Sequence, residues 1–168
     1  AATDNVGVVT GSLTSGDRTD DTALVLSGGN ESGSSVTVYN GTTSLGAATV
    51  SGTGWSYTAT VANGTTYQFN VKETDAAGNT SAATSNFAVT GDTTAPTVSS
   101  VSISSASGVQ NSLLNAGDVV SVTVTFSENV TRTGSPQLTL NVGGTNRTAT
   151  YGSGSGGTSL VFQYTIQA

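Results

Sequence analysis

Ten carboxylates, with no histidine and no cysteine, define the chemistry open to this chain. Without imidazole or thiol there is no Ser-His-Asp or Cys-His catalysis and little zinc chemistry. What remains is hard oxygen: carboxylates, asparagine amides and backbone carbonyls, a donor set suited to calcium. The candidate ligands are Asp4, Asp20, Asp21, Glu31, Glu73, Asp75, Asn79, Asp92 and Glu128. Their plain alternative is turn chemistry, which Asp and Asn favour without any metal. No EF-hand spacing decides between the two. No pair of acids sits in a cleft-like strand context, so no glycosidase-type catalysis is expected.

The net charge is −6, with only Arg18, Lys72, Arg132 and Arg147 basic. Nucleic acid needs clustered Lys and Arg, and so does an anionic membrane surface. Neither partner is expected, and no apolar run is long enough to insert in a membrane. Charged residues make up 8% of the chain, far below an average globular domain. The Thr, Ser, Gly and Val bias, with no Cys or Met, fits a secreted protein of a bacterial cell surface. A start at Ala1 suggests a piece of something longer.

The elements that must position these acids are strands. No window sustains a helical period, and β-branched residues dominate. Asp4-Asn5-Val6-Gly7 reads as the tail of a preceding linker, and Val8-Val9-Thr10 as the first strand. Ser12–Thr22 reads as a polar loop. Further strands are expected over Ala23–Ser27, around Val36 and Val38, over Leu45–Val50, from Trp55 to Val61, from Tyr67 to Val71, and at Phe87 and Val89. Asn40-Gly41 and Asn63-Gly64 are turn signals. About seven short strands in about 90 residues is the pattern of an immunoglobulin-like sandwich. Trp55 shares its face with Tyr57, Ala59 and Val61, so it is expected in the core rather than stacking on a ligand.

Gly91-Asp92-Thr93-Thr94-Ala95-Pro96 separates this region from a second one. The fold is therefore read as all-β: two tandem immunoglobulin-like β-sandwich domains, 1–91 and 97–168, joined by a linker at 92–96. The second region offers strands at Val101 and Ile103, from Val120 to Phe126, from Leu138 to Val142, from Arg147 to Tyr151 and from Leu160 to Ile166. Ser127-Glu128-Asn129 reads as a turn. Roughly five strands fall short of the seven a full sandwich needs. The last strand is expected to leave an open edge and an uncovered apolar face. The second domain is thus either truncated or completed by another chain.

Laid onto sandwich ends, the acids gather at two junctions. Asp4, Glu31, Glu73 and Asp75 fall where the chain enters the first domain. Asp20, Asp21 and Asp92 fall where it leaves, with Glu128 at the start of the second. So few basic residues cannot neutralise them, and a bound Ca²⁺ would. The linker is then expected to be flexible without calcium and stiff with it.

Several stretches carry a family likeness. They are Thr19-Asp20-Asp21-Thr22, Gly29-Asn30-Glu31-Ser32-Gly33, Trp55-Ser56-Tyr57-Thr58, Asp75-Ala76-Ala77-Gly78-Asn79 and Asp92-Thr93-Thr94-Ala95-Pro96. In these the chain resembles the bacterial Ig-like tandem repeats of giant secreted RTX and biofilm adhesins. The resemblance implies modules of a long exported fibre, with calcium at the joints and neighbouring repeats of the same polypeptide as partners. It also implies a role in extension or adhesion toward a host or surface ligand. Two other functions stay open: a glycan- or ligand-binding module, and an accessory domain of a secreted polysaccharide-degrading enzyme.

Overall fold

Alternation of Val, Leu and aromatic residues with Thr and Ser puts one apolar face on each strand, and such strands are stable only when that face is covered. The computed structural model describes residues 1–7 and 10–168. The expected first strand at Val8-Val9-Thr10 falls on Val8 and Val9, outside the described residues. The chain divides into two units, Ala1–Thr94 and Ala95–Ala168.

The first unit contains β1 (Ala2–Asp4), β2 (Gly11–Leu13), β3 (Asp17–Thr19), β4 (Ala23–Gly29), β5 (Ser35–Asn40), β6 (Thr43–Ala47), β7 (Thr49–Ser51), β8 (Gly54–Thr60), β9 (Thr66–Thr74) and β10 (Phe87–Gly91). They form two sheets, ordered β2-β1-β4-β8-β7 and β3-β10-β9-β5-β6. Leu24, Leu26 and Ala59 from one sheet pack with Val38, Phe69 and Val89 from the other. Trp55, Tyr57, Tyr67 and Phe87 close the margins of this core, as their period-two spacing implies. Each large aliphatic buried this way contributes about 1.5–3 kcal/mol.

Three expectations need correction here. Of the expected linker tail Asp4–Gly7, Asp4 is the last residue of strand β1, which pairs with β4 at Ala2 opposite Leu26 and Thr3 opposite Val25. The polar loop contains β3, which pairs in parallel with β10, Val89 opposite Asp17 and Gly91 opposite Thr19. The single strand over Leu45–Val50 is two strands. β6 pairs with β5 and β7 with β8, so the chain changes sheets at Ala48, whose N–H donates to the Val36 carbonyl at 2.8 Å.

The second unit contains β11 (Val98–Ser107), β12 (Val119–Val130), β13 (Gln137–Val142), β14 (Thr145–Ser153) and β15 (Gly157–Thr165). These make one antiparallel sheet, ordered β11-β12-β15-β14-β13. The register aligns Ile103, Val122 and Phe162 in one row, and Val101, Val124 and Leu160 in the next. Gly143 and Gly144 form the two-residue turn between β13 and β14. Both have positive φ, 60° and 84°, as this hairpin turn requires. The last strand, β15, is not an open edge: it lies between β12 and β14, and the edges are β11 and β13. Glu128 is not in a turn either, because β12 runs on to Val130.

Candidate functional site

Every sequence-predicted ligand of the first unit sits at one of its two ends, but the grouping differs from the expected one. At one end lie Glu31, Glu73, Asp75 and Asn79. Glu73 Oε1 accepts the Glu31 N–H and the Ser34 hydroxyl, both at 2.5 Å. These bonds, the Ser34 hydroxyl first, hold the Glu73 carboxyl below the usual range. Asp75 closes its own loop. Its Oδ1 accepts the N–H groups of Ala77 (2.9 Å) and Asn79 (2.8 Å), and its Oδ2 accepts the Asn79 amide at 2.9 Å. Asn79, through its amide and then its backbone N–H, holds Asp75 low as well. The Asp-Ala-Ala-Gly-Asn stretch is thus a turn closed by the Asp75 carboxylate.

At the other end lie Asp4, Asp20, Asp21 and Asp92. Asp4 belongs to this group and not with Glu31, which corrects its expected position. Because β1 lies antiparallel along β4, Asp4 reaches the start of β4, while Glu31 follows β4's far end. Asp4, Thr19 and Asp21 are all buried, at 5%, 3% and 2% exposure. The Thr19 hydroxyl links the two acids: it donates to Asp4 Oδ2 at 2.8 Å and accepts the Asp21 N–H at 3.1 Å. Asp4 Oδ1 accepts the Val6 N–H, and Asp21 Oδ1 accepts the Ala23 N–H. Asp21 Oδ2 is buried and has no hydrogen-bond partner among the described residues. A buried carboxylate oxygen in that state is costly and calls for a cation or an ordered donor. The Asp20 carboxylate lies against Gly7, where any Cβ would collide with its Oδ2. Among the described residues no three His, Cys, Asp or Glu side chains converge as a metal-holding group.

Asp92 differs from these acids in having a basic partner. It pairs with Arg18 at 2.8 Å. The segment around it is hydrogen-bonded to the first unit. Gly91 N–H donates to the Thr65 carbonyl at 3.0 Å, and Gly64 N–H to the Gly91 carbonyl at 2.8 Å. Asp92 N–H donates to the Thr19 carbonyl at 2.8 Å. Asn63 accepts the Thr93 N–H at 2.8 Å and donates to the Thr94 hydroxyl at 2.9 Å. Residues 91–94 therefore belong to the first unit. Ser34, Thr19, Arg18 and Asn63 carry these ends, yet nothing in the sequence singles them out as site residues. Ser and Thr are too abundant here to signal anything, and Asn63-Gly64 reads only as a turn.

In the second unit Glu128 lies half-buried on β12, with Oε1 lacking a hydrogen-bond partner among the described residues. Trp55 is half-buried at the margin of the first unit's core. Its indole lies across Gly28, where a Cβ would come within 2.8 Å of Nε1, and it donates to the Gly29 carbonyl at 3.2 Å.

A two-sheet antiparallel sandwich with one parallel strand pair at its margin defines an immunoglobulin-like module. Residues 3–93 match the model of the bacterial Ig-like domain, and the chain belongs to that family. No curated protein and no solved structure matches the chain. Domains of this family are generally extracellular or surface-exposed and typically non-catalytic, which makes this chain an extracellular surface or adhesion-type module. Among the described residues no helix is long and apolar enough to cross a membrane.

Proposed function

We propose that this chain is an extender or adhesion module of a secreted bacterial cell-surface adhesin, working in biofilm formation, with calcium bound at the Asp21 end of its first unit. Its partners are neighbouring repeats of the same polypeptide and, at a distance, a host or surface ligand. The observation that carries the calcium reading is the buried, unpartnered Asp21 Oδ2 beside Asp4 and Thr19. Asp21 and Asp4 would be the anionic ligands. The Thr19 hydroxyl and backbone carbonyls are neutral donors nearby, and Asp20 is the adjacent third acid. The ion would neutralise acids that have no basic partner among the described residues. Glu73 and Asp75 have oxygens engaged in their own turns and are not needed for this. Two buried carboxylates make a low ligand charge, which puts affinity in the weak class of extracellular modules, a Kd on the order of 10⁻⁴–10⁻³ M.

Calcium titration by calorimetry, with melting in calcium and in chelator, tests this. Calcium at about 100 times its Kd should stabilise the first unit by about 2.7 kcal/mol. Asp21→Asn, which keeps the shape and removes the charge, should abolish the response. Identical melting in calcium and chelator, with no heat of binding, would sink the proposal.

A further inference from the structure

We propose that the second unit carries a binding site for an acidic saccharide, a uronic acid residue of a surface polysaccharide, at Arg132. The charge of the chain is unevenly divided. The first unit has eight acids and two bases and holds the whole net charge of −6. The second has Asp118, Glu128, Arg132 and Arg147 and is neutral. An anionic ligand is therefore repelled by the first unit but not by the second. Neither acid of the second unit occupies Arg132. Asp118 precedes β12, at the opposite end of that strand from Arg132, and accepts the Asn115 N–H. Glu128 lies on β12 itself and forms no ion pair with Arg132 among the described residues.

Arg132 is held in place by its surroundings. Its backbone N–H donates to Ser155 Oγ at 3.1 Å, and the Ser155 N–H donates to Tyr151 Oη at 3.1 Å. The guanidinium lies over the Tyr151 ring, 4.5 Å from its centroid, and its Nη1 donates to the Gly134 carbonyl. The ring in turn stands edge-on to the buried Phe162, with centroids 6.3 Å apart. A guanidinium has five N–H groups in a planar fork. The Gly134 bond uses one, and the rest can take a carboxylate in the two-bond geometry that makes this pairing strong. Already positioned on the ring, the side chain loses little freedom when it does so.

Beside it opens a cleft of about 310 Å³, lined by Arg132, Ser135, Pro136, Gln137, Thr150 and Tyr151. Gln137 and Thr150 face each other in register across β13 and β14, and Ser135 stands in the loop before β13. Two hydroxyls and an amide both donate and accept, as the hydroxyls of a sugar ring do. An acidic peptide would supply the charge but not this set of hydroxyls. The volume is at the lower end for ligand pockets, roughly 300–1,000 Å³, and suits one sugar residue. Arg132, Ser135, Gln137 and Thr150 are exposed, so the rest of a polymer can stay in solvent. The Tyr151 face is taken by the guanidinium, so stacking cannot drive binding and a neutral sugar has little to hold it.

Titration of the full chain with a galacturonic acid tetrasaccharide, followed by amide NMR shifts in chelator, tests this. Chelator keeps calcium from bridging the sugar to the acids of the first unit, so the outcome is separate from that of the calcium proposal. Saturable shifts should appear at residues 132–137 and 150–155 and not in the first unit. The fully methyl-esterified tetrasaccharide keeps the ring hydroxyls and loses the charge. It should bind about 10- to 100-fold more weakly, as loss of a charged hydrogen-bonded pair implies. Arg132→Gln should weaken binding of the acid by a similar factor, with shifts outside the loop unchanged. Arg147→Gln removes the other cation of the unit and should leave affinity within about twofold. A tetra-aspartate peptide, matched in charge, should bind at least about 10-fold more weakly than the sugar. The ester and peptide arms use the wild-type chain, so they decide the question even where Arg132→Gln disturbs the loop. Absence of saturable shifts, or shifts spread over both units, would overturn the assignment. So would equal binding of acid and ester, equal binding of sugar and peptide, wild-type affinity in Arg132→Gln, or an equal loss in Arg147→Gln.

Discussion

The two units write the same alternation of apolar and polar residues and do different things with it. In the first, two five-stranded sheets face each other, and Leu24, Val38 and Val89 are completely buried between them. In the second, one five-stranded sheet carries the same kind of apolar face. Its centre is buried at Val122, Val124, Leu160 and Phe162, but on edge strand β11 Val101 is 55% and Ile103 72% exposed. Period-two patterning therefore sets which side of a strand is apolar. Burial is set by what covers that side: a second sheet in the first unit, and neighbouring side chains of the same sheet at the centre of the second.

That difference is most directly broken by a pair of truncations. Leu24→Ala should cost about 2–5 kcal/mol, because a fully buried leucine between two sheets leaves a cavity that close-packed neighbours cannot fill. Ile103→Ala removes just as many carbons, yet should change stability by less than about 0.5 kcal/mol, since most of that side chain already meets water. Urea unfolding of both variants, with hydrogen exchange resolved by segment, reads the comparison. Equal costs would mean that the β11 face is covered in solution.

Gly91→Ala comes next, at about 1–3 kcal/mol. Its ordinary φ would tolerate alanine, but the new Cβ would collide with the Ala62 carbonyl oxygen and meet Val61 Cγ1 at 2.7 Å. The first obstacle is backbone, so relief requires β10 to shift from its place between β3 and β9. No glycine of the second unit's strands is hemmed in so closely: Gly152 would meet the Val161 carbonyl oxygen at 3.4 Å, and Gly157 the Gly154 carbonyl oxygen at 3.7 Å. Gly152→Ala should accordingly be much milder in the same urea titration. Parity between the two would remove the steric argument.

How far the sequence can be read follows from the same physics. Strands such as β4, β8, β9, β12 and β15 are legible because each sets bulky residues on alternate positions against a covered face. The Asp75–Asn79 turn is legible because all its bonds are local. What cannot be read is which strand lies beside which. Alternation carries no address, so the break at Ala48, which sends β6 and β7 to different sheets, leaves no mark. β3, written Asp17-Arg18-Thr19, has no apolar residue to reveal it, and it is a strand only because β10 offers it an edge. Asp4 falls at the opposite end from its expected one for the same reason. Its position depends on β1 pairing with β4, a contact between residues more than twenty apart in the chain. The buried Asp4–Thr19–Asp21 group is hidden accordingly, although two of its three members stand out in the sequence as candidate ligands.

The smallest expected effect separates the two ends of the first unit by pH. At the Glu31 end, Ser34 and the Glu31 N–H hold Glu73 below its ordinary value, and Asn79 does the same to Asp75. A carboxyl whose folded value is depressed binds its proton more readily in the unfolded chain. Its stabilisation is therefore fully present above about pH 5, beyond the ordinary unfolded value, and is lost as the pH falls through the lower folded value. Unfolding midpoints in urea should hold steady from neutrality to about pH 5 and then decline. The effect is modest because these carboxylates are open to solvent screening. Glu73→Gln keeps an oxygen able to accept from Ser34 and Glu31 but cannot titrate, so it should flatten part of the decline without moving the neutral plateau far. Hydrogen exchange at Glu31 and Ser34 should accelerate on acidification in the wild-type chain and much less in the variant. If the Glu73→Gln variant shows the same acid limb as the wild-type chain, the Ser34 and Glu31 bonds do not favour the ionised form. The acid sensitivity of the unit then lies elsewhere.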